Sequence, residues 1–130
     1  MKNFQGAARD ILTSEGVADS PARLLEKWQF FVEECQRGYP WDFSEYVHEL
    51  RPRRVLELLL VGLPADMFPE AEVLQENIEP TDTRFRALLQ PGVELPDHQH
   101  GFDRGVLKYA GEPYVSYMRD AYGISVQLVS

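Results

Sequence analysis

The sequence predicts a mainly α-helical protein, a single domain over residues 1–130 that forms a bundle of about five to seven short helices with a short C-terminal strand. Apolar residues recur at helical spacing in several segments, and helix-starting and helix-ending residues flank most of them. With 130 residues, of which 44% are hydrophobic, the chain can form one core of its own. Its charged fraction of 26% is typical of a globular protein.

Two helices are predicted at the N-terminus. The first covers Asn3–Ser14, with Gly16 just beyond its end. The second is the best specified, because Ser20 can cap its first turn and Pro21 has the backbone angle that the first helical position requires. Gly38 stands where a left-handed residue would end this helix. Its apolar residues recur at helical spacing: Leu24, Leu25, Trp28, Phe31, Val32 and Cys35.

A third helix is predicted from Asp42, with Glu45 three positions later as part of a capping box. Pro52 disfavours helical geometry at Arg51, so we expect the helix to break there and to restart over Pro52–Val61. The restarted segment is apolar nearly all round, which predicts a central buried helix.

Two proline-initiated segments follow, and we expect a separate helix in each, over Pro69–Ile78 and Pro80–Leu89. Residues from Pro91 to Gly105 are rich in Pro, Gly, Asp and His. That composition predicts one long loop.

The C-terminal part is predicted to contain one more helix, over Pro113–Tyr122, which Gly123 ends. Apolar and polar residues then alternate from Ile124 to Leu128, which indicates a short strand. A single strand has unpaired backbone groups, so this one needs a partner from the same chain or from another molecule.

The charge distribution is the clearest functional indication in the sequence. Between Val55 and Thr83 there are seven carboxylates and no Lys or Arg, and this region accounts for most of the net charge of -8. Such a region repels nucleic acid and anionic membranes and attracts basic proteins, so we expect no direct binding to the first two. In the alternative, the carboxylates are only the solvated side of an amphipathic helix. The candidate partner-binding carboxylates are Glu70, Glu72, Glu76, Glu79 and Asp82.

Tyrosines are concentrated near the C-terminus, and Tyr114, Tyr117 and Tyr122 are predicted to anchor a partner. Tyrosine is favoured in interfaces because it combines a large ring with a hydroxyl group that can hydrogen-bond. The alternative is that these rings complete the core.

Three arginines, Arg51, Arg53 and Arg54, stand close together just before the acidic region. They could bind a phosphate or carboxylate ligand. We instead expect them to pair with acidic side chains of the same protein, such as Glu45 or Glu49, because the start of a helix disfavours unpaired cations.

His98 and His100 are separated by one residue, so on an extended strand both imidazoles would point the same way and could chelate a transition metal. No further ligand has a recognisable spacing, so we expect a polar loop and no cofactor. Cys35 lies on an apolar helix face and is expected to be a buried, unreactive thiol. A single cysteine, and no apolar run near the roughly 20 residues that span a bilayer, indicate a cytoplasmic protein.

Residues 25–60 contain a pattern of single residues and adjacent residue pairs, namely Trp28, Phe31-Val32, Gly38-Tyr39, Glu45-Tyr46, Glu49-Leu50, Arg54 and Leu56-Glu57. This pattern resembles that of a group of small uncharacterised bacterial helical proteins. The segment DTRFRA, residues 82–87, resembles a second motif of the same group. The resemblance implies a helical fold and assigns no catalytic residues.

Together these features predict a small acidic protein-binding module rather than an enzyme. Its expected partner is a basic protein, such as a toxin or another protein that acts on nucleic acid. Immunity proteins and antitoxins inhibit such partners by covering the basic site with carboxylates. Two alternatives stay open: a metal-assisted enzyme that uses His98 and His100, and a homo-oligomer whose C-terminal strand pairs in trans.

Overall fold

The computed structural model describes residues 3–98 and 101–129. Within these ranges it contains six helices and four short strands. In chain order they are α1 (Phe4–Ser14), α2 (Pro21–Gly38), α3 (Phe43–Glu49), α4 (Arg51–Gly62), α5 (Pro69–Arg86), β1 (Leu89–Glu94), β2 (Gly105–Leu107), β3 (Tyr109–Ala110), α6 (Glu112–Tyr122) and β4 (Gln127–Leu128). The predicted class, mainly helical with a short strand near the C-terminus, is confirmed.

Helix α2 begins where Ser20 and Pro21 predict, and α1, predicted from Asn3, begins at Phe4 with Asn3 as its cap. The Asn3 side chain accepts a hydrogen bond from the backbone N–H of Gly6 at 2.8 Å, and Ser20 accepts one from Arg23 at 3.1 Å. Gly38 ends α2 with a φ of +106°, a region that residues with a side chain rarely adopt. A Cβ atom at this position would also lie 3.1 Å from Cγ1 of Val129.

Helix α2 is the centre of the core and packs against α4 and α5. Its inward side carries Trp28, Phe31, Val32 and Cys35, all buried as their helical spacing predicts. Phe31 packs against the rings of Tyr39 and Tyr46, with centroid separations of 5.6 and 5.5 Å. Edge-to-face and tilted pairs of this kind add to the stabilisation that burial alone gives.

The break between α3 and α4 is confirmed, with its position at Leu50 instead of Arg51. Asp42 accepts a hydrogen bond from the N–H of Glu45 at 3.0 Å and so starts α3. The expectation that the next helix is buried all round is wrong: Leu58 and Val61 are 42% and 72% exposed. Helix α4 packs on α1 and α2 along one side and leaves the other side to solvent.

The prediction of two helices after Pro69 is wrong, because α5 runs without interruption from Pro69 to Arg86. Pro80 lies inside it and cannot donate a hydrogen bond to the carbonyl four residues earlier. Its position is exposed, so water can satisfy that carbonyl. The buried residues Ile78 and Phe85, one on each side of Pro80, continue a single inward face, and their burial outweighs the loss of one bond.

The prediction of one long loop from Pro91 to Gly105 is also wrong in part. Strands β1 and β2 form an antiparallel pair in which Leu89 faces Leu107 and Glu94 faces Gly105. The register shifts between these two pairs, over the segment that contains Pro91 and Gly92. Pro91 and Gly92 by themselves favour a loop, but here they lie within β1, where the pairing register is irregular.

The C-terminal helix and its end at Gly123, which has a φ of +66°, are confirmed. The following strand is shorter than predicted, and β4 pairs in parallel with β3 of the same chain. The partner that this strand needs is therefore supplied by the same chain. The homo-oligomer alternative had assumed a partner from another molecule. Val126, which precedes β4, contributes its side chain to the core.

Candidate functional site

Helix α5 presents a row of carboxylates to solvent. Glu72, Glu76 and Glu79 are exposed and lie four and three residues apart, so they follow one face of the helix; we call these three residues the acidic stripe. Glu70, also exposed, lies in the first turn. Within the described part of the chain, Glu70, Glu72 and Glu76 form no ion pair, and Glu79 makes one 3.6 Å contact with the exposed Arg86. An exposed pair at this distance contributes little to stability.

The helix macrodipole explains part of this arrangement. Glu70 and Glu72 lie in the first turn of α5, where a carboxylate stabilises the helix by about 0.3–1 kcal/mol. Glu76 and Glu79 lie in the middle of the helix, where the macrodipole gives no such benefit. Their repulsion of one another, and of Glu72, is therefore not offset by helix stabilisation.

Asp82, predicted to bind a partner, is not available at the surface. Its residue exposure is 2%, and its carboxylate accepts a hydrogen bond from Trp28 Nε1 at 2.9 Å. The same carboxylate accepts two more from Arg53, at 2.8 Å each. Burial alone would lower the pKa of Arg53, but its hydrogen bonds and charge interactions with Asp82 and Glu57 outweigh burial and raise it.

This buried pair belongs to a chain of charges that links α4 to α5. Arg53 also contacts Glu57 at 3.0 Å, and Arg86 lies 4.0 Å from Asp82. Phe102 packs against both arginines, with its ring centroid 4.7 Å from Cζ of Arg53 and 5.5 Å from Cζ of Arg86. The network joins α5 to α4 on the buried side of α5, and the acidic stripe lies on its exposed side.

The predicted pairing of the arginine cluster with acidic side chains of the same protein is confirmed for Arg53 and Arg54, but neither Glu45 nor Glu49 is among their partners. Arg54 donates to Asp103 at 2.8 Å, and Arg51 donates to the backbone carbonyl of Glu15 at 2.8 Å. Apart from Glu57, which lies four residues after Arg53, these partners lie 29 to 49 positions away in sequence, so local spacing gave no signal for them.

The three candidate tyrosines differ in exposure. Tyr114 is fully buried and its hydroxyl oxygen accepts a hydrogen bond from the N–H of Leu107 at 3.1 Å, so it is a core residue and not an anchor. Tyr122 is half-buried and donates to Asp97 at 2.8 Å. Tyr117 is 40% exposed and stacks on Phe43 at 4.7 Å.

The structure does not join these tyrosines to the acidic stripe. Helix α6 packs mainly against α3 and the strands β3 and β4, whereas α5 packs mainly against α2. The two predicted halves of the partner surface therefore lie on elements with different packing partners. Of the predicted tyrosine anchors, Tyr117 has the greatest exposed fraction.

The histidine loop is only partly described. His98 packs edge-on against Phe43 at 5.6 Å, and its Nε2 lies 3.7 Å from Asp97. His100 lies outside the described residues. Among the residues that are described, no group of three or more His, Cys, Asp or Glu side chains could hold a metal ion.

Cys35 is buried and free, as predicted. Burial, followed by the nearby charges of Glu34 and Glu49, raises the pKa of its thiol far above the ordinary value. A thiol of this kind is neutral at physiological pH and is a poor nucleophile.

Two features were not recognised in the sequence. Tyr39 is buried and donates a 2.5 Å hydrogen bond to Glu49, and burial raises the pKa of both groups. The second feature is a cleft of about 610 Å³ between α2 and the α3–α4 junction. Its lining includes Leu24, Phe30, Phe31, His48, Arg51 and Val55. Phe30 is 60% exposed and lies just outside the apolar stripe of α2. This position of a large apolar residue was the only indication of the cleft in the sequence.

Fold and surface together define a small, acidic, mainly helical protein. A scan against protein-family models and searches of curated proteins and solved structures found no match to the chain. The resemblance of residues 25–60 to a bacterial group stays a prediction. No helix within the described ranges is both long and apolar enough to cross a membrane.

Proposed function

We propose that this chain is a protein-binding module that docks a basic partner protein on the acidic stripe. The observation that carries the proposal is the solvent-facing row of Glu72 and Glu76 on α5, which form no ion pair with any described residue, extended by the weakly paired Glu79. The net charge of -8 adds a field that attracts cationic proteins from a distance. Carboxylates that face solvent without a cation of their own are free to pair with Lys and Arg of a partner.

An apolar side chain stands beside the carboxylates. Val73 is 56% exposed and lies three residues from both Glu70 and Glu76 on the same helix. Interfaces typically combine an apolar centre with a polar rim, and Val73 within a group of carboxylates fits that pattern. Such a surface suits a partner that carries Lys and Arg around a small apolar depression.

The finer proposal is that the partner acts on nucleic acid and that this chain inhibits it. A protein that binds phosphates presents Lys and Arg at its working surface, and a row of glutamates can occupy the same cations. Immunity proteins and antitoxins work in this way. Association would then be fast at low salt and would slow steeply as the ionic strength rises.

The test is affinity capture with two charge-matched variants. The tagged protein captures its partner from a lysate of the source cells at about 50 mM salt and is then washed at about 500 mM. One variant carries Glu72→Lys, Glu76→Lys and Glu79→Lys. The control carries Glu15→Lys, Glu33→Lys and Glu94→Lys, three exposed positions outside α5, and so has the same net charge.

We expect the wild type and the control to retain one basic protein at low salt, and the stripe variant to lose at least nine-tenths of it. Equal retention by both variants would show that the acidic stripe is not the docking surface. Capture of no basic protein by the wild type would overturn the protein-binding proposal itself. The inhibitor form needs one further result, namely that the captured protein loses a nucleic-acid activity in the complex.

A further inference from the structure

The cleft between α2 and the α3–α4 junction has the size and lining of a small-molecule site. Its volume of about 610 Å³ falls within the range of roughly 300–1,000 Å³ that such sites occupy. Buried Leu24 and Val55 contribute to an apolar floor. Phe30 is 60% exposed at its edge and, within the described residues, stacks on no other aromatic ring. An aromatic ring left open beside an apolar floor provides a surface for a second flat or branched group.

The charged residues that α2 and the turn before it contribute to the cleft are largely paired with one another. Lys27 contacts Asp19 at 2.7 Å, and Arg23 contacts Glu26 at 3.2 Å. These two ion pairs need no further partner. The acidic stripe on α5 is a separate feature and contributes no residue to this cleft.

The α3–α4 side of the cleft carries a cation that has no carboxylate partner among the described residues. Arg51 forms no ion pair within the described part of the chain, and its Nη2 donates to the carbonyl of Glu15 at 2.8 Å. That bond fixes the guanidinium while leaving its other N–H groups as donors. The exposed His48, three residues earlier, also lines the cleft and can donate a hydrogen bond.

On the same side of the cleft, Glu49 is the acidic group that would oppose a bound anion. One of its carboxylate oxygens is already bonded to the buried hydroxyl of Tyr39. The hydrogen bond that this oxygen accepts stabilises its negative charge, which reduces its repulsion of a bound anion.

From this arrangement we infer that the cleft binds a small organic carboxylate, with its apolar body on Phe30, Leu24 and Val55 and its carboxylate on Arg51. The guanidinium fork matches the two oxygens of a carboxylate, so both can be bound at once. An uncharged compound of the same shape would contact the apolar floor but would offer no carboxylate to Arg51. Binding should therefore discriminate between an acid and its amide.

The test uses phenylacetate as the probe and phenylacetamide as its uncharged match, each titrated into the ¹⁵N-labelled protein and followed by amide chemical shifts. We expect saturable shifts at the cleft residues with a Kd on the order of 1 mM for phenylacetate, and at least fivefold weaker binding of the amide. Arg51→Gln should reduce phenylacetate binding to the level of the amide. Phe30→Ala should weaken both compounds, and Arg37→Gln, at an exposed position of α2 that does not line the cleft, should change neither.

Absence of saturable shifts at about 20 mM phenylacetate would overturn the inference, as would equal affinity for acid and amide. If Arg51→Gln disturbs the fold, which its amide spectrum would reveal, the comparison of acid with amide and the Phe30→Ala variant still decide the question. Because no residue of the acidic stripe is involved, failure here leaves the protein-binding proposal unaffected, and the converse also holds.

Discussion

Arg53 and Asp82 form a two-pronged ion pair in the interior, with Nε and Nη2 of the arginine each 2.8 Å from a carboxylate oxygen. Both side chains are almost fully buried, at 6% and 3% exposure. Trp28 donates a third hydrogen bond to the same carboxylate, so the central helix α2 is tied to α4 and α5 through one group. A buried pair of this geometry sets the relative position of three helices, because each charge would be costly without the other.

Replacing Asp82 by Asn keeps the shape of the side chain but leaves the guanidinium of Arg53 without its buried countercharge. We expect a loss of about 3 kcal/mol in the free energy of unfolding, measured by urea denaturation. Glu79→Gln on the exposed side of the same helix is the control and should change the value by less than about 0.5 kcal/mol. Similar values for the two variants would mean that the ion pair does not contribute to stability.

Pro80 offers a test of the continuity of α5. Pro80→Ala restores the N–H that a helix interior needs, so we expect the free energy of unfolding to rise by roughly 2 kcal/mol, after allowing for the stiffer unfolded chain that proline provides. Pro69→Ala is the matched control at the start of the same helix, where proline is favourable, and should give no gain. A loss of stability in Pro80→Ala would instead indicate two helices with Pro80 at the start of the second.

Three buried tyrosines predict a loss of stability at alkaline pH. Burial raises the pKa of Tyr39, Tyr46 and Tyr114 well above the ordinary value of 10.0. Above about pH 10 the unfolded chain therefore releases these protons while the folded protein retains them, and the free energy of unfolding falls as the pH rises. Each tyrosine contributes a slope of about 1.4 kcal/mol per pH unit once the unfolded form is ionised.

The measurement is urea denaturation between about pH 8 and pH 11, with Tyr46→Phe as the variant. Phenylalanine keeps the ring and removes the titrating hydroxyl, so near pH 11 the alkaline slope should become less steep by about 1.4 kcal/mol per pH unit, the contribution of one tyrosine. An unchanged slope would show that Tyr46 takes no part in the effect.

Glu76 is expected to be unfavourable for the stability of α5. Glu76→Lys places a cation four residues after Glu72 and three before Glu79, so two repulsions become attractions, each worth roughly 0.2–0.5 kcal/mol. The free energy of unfolding should rise by about 0.5 kcal/mol or more, and Glu76→Gln should give a smaller gain. If Glu76→Lys also weakens partner binding, then Glu76 favours binding although it lowers the stability of the protein. A decrease in the free energy of unfolding in Glu76→Lys would contradict this reasoning.

Cys35 should not react in the folded protein. Its burial and its raised thiol pKa predict negligible labelling by Ellman's reagent in native buffer and complete labelling in guanidinium chloride. A variant that combines Cys35→Ser with Thr13→Cys, at an exposed position of α1, should label rapidly in both conditions. Rapid labelling of the native wild type would mean that this part of α2 opens easily.

The sequence alone determined those elements whose signals are local. Ser20 and Pro21 start α2, the apolar spacing of Trp28 to Cys35 gives its buried face, and Gly123 ends α6. Each signal lies within a few residues of the structure it specifies, because capping and helical periodicity act over one or two turns. The exposure of Glu72, Glu76 and Glu79 follows from the same periodicity.

Only the tertiary structure decided the features that depend on residues far apart in the chain. Local rules divide α5 at Pro80, but the common buried face of Ile78 and Phe85 keeps it whole. Asp82 carries the same charge as its exposed neighbours, and it is buried because Arg53 and Trp28 reach it from 29 and 54 positions away. A pattern within one segment cannot show such partners, since their energy arises only when the folded chain removes both groups from water.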